Sequence, residues 1–114
     1  MRYKTTRKIL YNLLAIAKSG KCEIYKTQLP AGIGAFCMFD NSKYKIVLNA
    51  GKKTIWRALI HELLHIYNND FRFSGGNVEN IEKKTHKFAQ FLTKNVKNDV
   101  KNELFSILAK SETI

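Results

Sequence analysis

TIWRALIHELLHIYN, residues 54–68, is the stretch that decides the fold of this 114-residue chain. Apolar residues occupy most of its positions, which predicts a largely buried helix running from a cap at Thr54 to about Asn68. Within it His61 and His65 are four residues apart, and side chains with this spacing lie on one helix face, roughly 6 Å apart. Both imidazoles can therefore reach the same metal ion.

Glu62 completes the HExxH pattern and indicates what such an ion would do. It follows His61 by one position, so its side chain is too short and points in the wrong direction to be the third ligand. It is well placed to take a proton from a water molecule held on the metal. The alternatives are an accidental pattern on a surface helix or a hydrogen-bonded histidine pair in the core. Since buried helices seldom carry ionisable groups without partners, we predict a zinc site.

The composition predicts one domain, residues 1–114, with 45% hydrophobic residues available for a core. The apolar stretch 9–17 is shorter than the ~18 residues that a membrane span needs, and no cleavage site follows it. Cys22 and Cys37 do not form a CxxC pair and are predicted to be reduced thiols in strands. We therefore expect a soluble, cytoplasmic protein that does not act at a membrane.

The formal net charge of +11 is high for this length and is spread along the chain. Such a charge attracts nucleic acid or an acidic protein. The alternative is a solvated, lysine-rich surface. Lysine far outnumbers arginine, and aromatic residues do not alternate with the charges in a base-stacking pattern. The sequence therefore favours non-specific attraction to nucleic acid over sequence-specific recognition.

Hydrophobic periodicity predicts an α+β fold in which a helix precedes a small sheet. Thr5 and Thr6 come before a helical pattern that ends at Ser19-Gly20. Three short antiparallel strands are predicted at residues 22–29, 35–39 and 44–48. A hairpin turn at residues 40–43 joins the last two. The helix with the HExxH pattern follows the sheet. Beyond a possible cap at Asn77, helical spacing continues to Leu108, as one long helix or as two separated near residues 98–99.

A catalytic zinc site usually has three protein ligands and an open position for water. Glu82 and His86 are four residues apart on the helix after the HExxH pattern, so either can face the metal if the two helices pack together. Asp70 is a third candidate, five residues beyond His65. The residues alone leave the third ligand open, because Glu82 suits a solvated helix face and His86 suits a position that supports a ligand without binding the metal.

The order of these elements resembles the ImmA/IrrE family of small zinc metallopeptidases over roughly residues 5–95. In that family a strand of the I-x-L-N type precedes an R-x-x-x-HELxH helix, and a later helix carries E-x-x-A-N-x-F-A. The corresponding segments here are YKIVLNA at 44–50, RALIHELLH at 57–65 and EKKTHKFAQFL at 82–92. Thr85 and His86 stand where the family has Ala-Asn.

The resemblance implies a zincin-like metallopeptidase domain with His61, His65 and Glu82 as zinc ligands and Glu62 as general base. It also implies a DNA-binding repressor or regulator as the protein substrate, often one that controls a mobile element. Two rival hypotheses remain. One is a SprT-like protease acting at DNA, with His86 as third ligand. The other is a zinc-stabilised basic binding or inhibitor module that has kept the peptidase fold without the activity.

Overall fold

The computed structural model describes residues 2–51, 55–68, 78–94 and 98–113. In these residues the chain forms four helices and a mixed sheet, which confirms the predicted α+β class. The predicted caps Thr54 and Asn77 and the candidate ligand Asp70 lie outside the described residues. The elements in chain order are α1 Arg2–Lys18, β1 Cys22–Thr27, β2 Ala35–Asp40, β3 Lys43–Asn49, α2 Ile55–Asn68, α3 Val78–Lys94, α4 Asn98–Lys110 and β4 Glu112–Thr113.

The sheet has the strand order β2-β3-β1-β4, and the prediction of purely antiparallel strands is wrong. β2 and β3 are antiparallel, but β1 runs parallel to β3, with Ile24 opposite Ile46. The reason is the segment 28–34, which is long enough to carry the chain past one strand position, about 10 Å from β1 to β2. β3 then fills the space between them and runs antiparallel to β2, hence parallel to β1.

The hairpin between β2 and β3 was predicted at the correct place. Asn41 and Ser42 form its two-residue loop, and both have positive φ, 52° and 63°. Two successive positive φ angles are the mark of a type I′ turn, whose twist matches that of the flanking strands. Asparagine tolerates this conformation better than most residues, so the turn has a local cause in the sequence.

Asn49 holds the crossing segment 28–34 against the end of β3. Its side chain is buried, with 2% relative exposure, and its Nδ2 donates to the carbonyl oxygens of Leu29, Pro30 and Ile33 at 3.2, 3.4 and 2.8 Å. Its Oδ1 accepts from the backbone N–H groups of Leu29 and Gly51 at 3.3 and 3.1 Å. One amide thus satisfies backbone groups that no strand partner reaches.

Replacing Asn49 with leucine should lower the free energy of unfolding by about 3 kcal/mol, because several part-buried backbone groups lose their partners at once. Urea unfolding followed by circular dichroism measures the change. Asn102→Leu, at an exposed position of α4, is the matched control and should shift the free energy by less than about 0.5 kcal/mol. Equal losses in the two variants would contradict the role given to Asn49.

α2 lies at the centre of the core and packs against α1, α3, α4, β2 and β3. Its Leu59, Ile60, Leu63 and Leu64 are fully buried, and burying each such side chain contributes about 1.5–3 kcal/mol. This anchoring fixes the rotation of α2 and therefore the direction in which the remaining positions of the helix point. The histidines lie on the part of its surface that faces α3.

The C-terminal part of the chain forms two helices, α3 and α4, in agreement with the second of the two predicted arrangements. The two-residue strand β4 pairs in parallel with β1 and was not predicted, since two residues carry no periodic signal. No helix in the described ranges combines the length and hydropathy required to cross a membrane.

Candidate metal centre

α2 presents His61 and His65 on successive turns, as the HExxH spacing predicts. The side chains of His61 and His65 are 17% and 6% exposed, and their Nε2 atoms lie 3.1 Å apart. The ring centroids are 4.8 Å apart and the planes meet at 62°. Both rings therefore direct the same nitrogen toward one point beside the helix.

Glu82 reaches that point from α3. This helix packs on the core through Thr85, Ala89 and Leu92, which are 5%, 0% and 0% exposed, and the small Thr85 and Ala89 allow a close approach. Glu82 Oε1 lies 2.9 Å from His65 Nε2, and Oε2 lies 3.1 Å from His61 Nε2. The carboxylate is half exposed, at 53%, so one side of the cluster opens to solvent.

The three short contacts cannot all be hydrogen bonds. Two neutral imidazoles can each donate from Nε2 to the Glu82 carboxylate, but the 3.1 Å contact between His61 and His65 is then between two donors. If one ring instead donates to the other, the accepting nitrogen faces a carboxylate oxygen. A cation at the centre removes this conflict, because both Nε2 atoms and the carboxylate then contribute lone pairs.

The dimensions of the cluster fit a small metal ion. Ligand atoms ~2.0–2.1 Å from a tetrahedral ion lie roughly 3.3 Å from one another. Here the two Nε2 atoms lie 3.1 Å apart, and each lies close to one Glu82 oxygen, Oε1 at 2.9 Å from His65 and Oε2 at 3.1 Å from His61. One ligand atom from each of the three residues can be chosen so that all lie within 4.8 Å of one another. His61, His65 and Glu82 thus offer ligand atoms that could hold a metal ion together.

The electrostatic state of His61 suits a ligand. Burial and then the neighbouring His65 lower its pKa below the usual value of 6.5, although the Glu82 carboxylate acts in the opposite direction. The ring is therefore mostly neutral at pH 7, which is the form that binds metal without first releasing a proton.

Glu62 lies beside the cluster without belonging to it. It is 9% exposed, and its burial raises the pKa of its carboxyl group to about 7; His65 lowers this pKa and Glu82 raises it further. A buried carboxyl group whose pKa is near neutrality can both accept and return a proton. The sequence pattern predicts the same residue to be the general base.

β2 passes close to Glu62, which the sequence did not indicate. Burial, followed by the charges of Glu62 and Cys22, raises the pKa of the Cys37 thiol to about 12. Cys22 and Cys37 are free thiols in β1 and β2, as predicted. The inner face of an edge strand therefore lies next to the proposed base.

His86 is near the cluster but is not one of its three members. Its ring centroid lies 6.1 Å from that of His61, and its Nε2 lies 3.3 Å from Nε2 of Gln90 on the next turn of α3. Gln90 was not predicted as part of the site. Its spacing of four residues from His86 and eight from Glu82, which places all three on one helix face, was the sequence signal that could have identified it.

Comparisons with protein-family models, with curated proteins and with solved structures found no match to this chain. The function must therefore be inferred from the residues of the site and their geometry.

Proposed function

We propose that this protein is a zinc-dependent endopeptidase, similar to the ImmA/IrrE metallopeptidases, that cleaves a DNA-binding repressor or regulator in the cytoplasm. The observation that carries the proposal is the convergence of His61, His65 and Glu82. One ligand atom from each lies within 4.8 Å of the others, and Glu62 is buried beside them. Two imidazoles and a carboxylate are a ligand set typical of catalytic zinc, with a fourth position left for water or substrate.

His61, His65 and Glu82 would hold the metal, and Glu62 would move the proton. Bound zinc supplies Lewis acidity, which polarises a carbonyl group and lowers the pKa of water to about 7. Glu62 accepts a proton from the attacking water as its oxygen bonds to the carbonyl carbon of the peptide. When the C–N bond breaks, the same carboxyl group gives that proton to the leaving amine, so Glu62 ends the cycle ionised.

The substrate class is supported by charge and by the resemblance. A net charge of +11 attracts an acidic protein surface or the phosphates around a DNA-bound protein. The charge is spread along the chain without a base-stacking pattern, which suits electrostatic attraction better than base recognition. We expect selectivity to come from docking to the substrate.

Co-expression with a DNA-binding regulator encoded beside this gene, followed by mass spectrometry of the fragments, tests the function. We expect cleavage at one or a few positions, no cleavage with Glu62→Gln, and little hydrolysis of casein. Adding a chelator to the purified proteins should stop the reaction, and zinc should restore it. An intact regulator together with degradation of unrelated unfolded proteins would show a general protease instead.

A further inference from the structure

Every histidine of this chain lies at one place. The sequence contains three, and the ring of His86 stands beside His61 at the edge of the group formed by His61, His65 and Glu82. His86 is one helical turn beyond Glu82 on α3, so its side chain leaves the helix on the same face as a member of that group. The proton transfers proposed for Glu62 do not involve this third imidazole.

The position of His86 is close to that of a ligand. The rings of His61 and His65, which share one metal position, have centroids 4.8 Å apart. The centroids of His61 and His86 are 6.1 Å apart, so these two rings are also close neighbours. The side chain of His86 is exposed and no core packing fixes its rotamer. Rotation about its side-chain bonds can turn the ring toward the other two histidines without moving α3.

Gln90 holds His86 away from the other two rings. In the observed orientation the amide nitrogen of Gln90 lies 3.3 Å from Nε2 of His86. An amide NH₂ group only donates, so Nε2 accepts and carries its lone pair on that side. The same lone pair would bind a metal ion, and the ring therefore cannot contact Gln90 and an ion through Nε2 at once.

We propose that His86 is a fourth ligand of this metal centre, which exchanges between Gln90 and the bound ion and closes the site in the resting protein. The inference rests on the proposed function, because it needs an ion bound to His61, His65 and Glu82. Zinc with four protein ligands is closed, whereas catalytic zinc keeps an open position. With His86 on Gln90 the site is open, and with His86 on the ion it is latent until substrate displaces the ring.

Long-range ¹⁵N–¹H spectra of the histidine rings, recorded before and after one equivalent of Zn²⁺, test the proposal directly. We expect one nitrogen of each of the three rings to move to the range of metal-bound imidazole. If only His61 and His65 move, the fourth ligand is excluded while the proposed function stands. If no ring responds to zinc, both the proposed function and this inference fail.

Zinc affinity, measured by competition with a chromophoric chelator, gives the second test. His86→Ala should weaken binding only roughly 10-fold, less than the loss of a permanent ligand, because His86 gives up its hydrogen bond to Gln90 when it binds the ion. Gln90→Ala should tighten binding roughly 3- to 10-fold, because it removes the hydrogen bond that competes with the ion. Lys87→Ala, at the exposed neighbouring position on α3, should leave the affinity unchanged.

Peptidase activity should change in the opposite direction to zinc affinity. A purely structural role of His86 and Gln90 does not predict such an inverse relation. His86→Ala should be more active than the wild type, and Gln90→Ala less active, because the first variant cannot close the site and the second favours closure. Affinities of both variants within 2-fold of the wild type would overturn the proposal. So would a Gln90→Ala variant that binds zinc more weakly than the wild type.

Discussion

Glu62→Gln should abolish peptide hydrolysis, with a rate roughly 100- to 10,000-fold below that of the wild type, while zinc content and fold are retained. The magnitude is that of losing general acid–base catalysis, because an amide cannot accept a proton from water. Glutamine is nearly isosteric with glutamate, and Glu62 is outside the group His61, His65 and Glu82, so metal binding should survive. Single-turnover cleavage of the regulator and elemental analysis give the two measurements.

Glu103→Gln is the matched control for this substitution. Glu103 is a half-exposed glutamate of α4 that pairs with Lys18 at 3.2 Å, far from the histidines in sequence and on a different helix. Exposed ion pairs of this kind contribute little to stability, so the variant should remain folded. Because Glu103 is not part of the site, the activity of the variant should stay at the wild-type level. Full biological function of Glu62→Gln would instead support the zinc-stabilised binding module.

Glu82→Ala should weaken zinc binding by more than about 100-fold, since removal of a direct ligand costs more than the 10- to 100-fold loss typical of an outer partner. The wild type should bind one equivalent of zinc, and its melting temperature should fall when a chelator removes the metal. In Glu82→Ala the chelator should have little further effect. Thermal melts with and without chelator, together with chelator competition, measure both consequences.

His86→Ala and Asp70→Ala are the controls that separate the possible third ligands. Both should retain far more affinity for zinc than Glu82→Ala. If His86→Ala lost the metal and Glu82→Ala kept it, the SprT-like arrangement would replace the one proposed here. A melting temperature insensitive to chelator, with no metal in the wild-type protein, would exclude the site altogether.

Several features of the fold follow from short-range patterns and could be predicted. The apolar periodicity of residues 54–68 indicated α2, and the i, i+4 spacing placed His61 and His65 on one face of it. The turn at Asn41 and Ser42 was also local, because its conformation depends on two residues. The predicted direction of β1 relative to β3 was wrong, because that direction depends on the segment 28–34 passing over one strand position to reach β2.

The third member of the candidate metal centre could not be identified from spacing. Spacing alone left Glu82, His86 and Asp70 open, and the resemblance to a family favoured Glu82. Thr85 and Ala89 bring α3 against α2, which places the Glu82 carboxylate within 3.1 Å of both rings and the ring of His86 farther out. Asp70 lies outside the described residues.

The sequence by itself determined the elements that depend on neighbours a few residues apart: the helices, the hairpin and the two histidines that face one way. Only the tertiary structure decided the parallel pairing of β1 with β3, the role of Asn49 and the placement of Glu82 and Gln90 around the histidines. The physical reason is that local patterns fix backbone conformation over a turn or two. Contacts between distant segments depend on how whole helices and strands pack against one core.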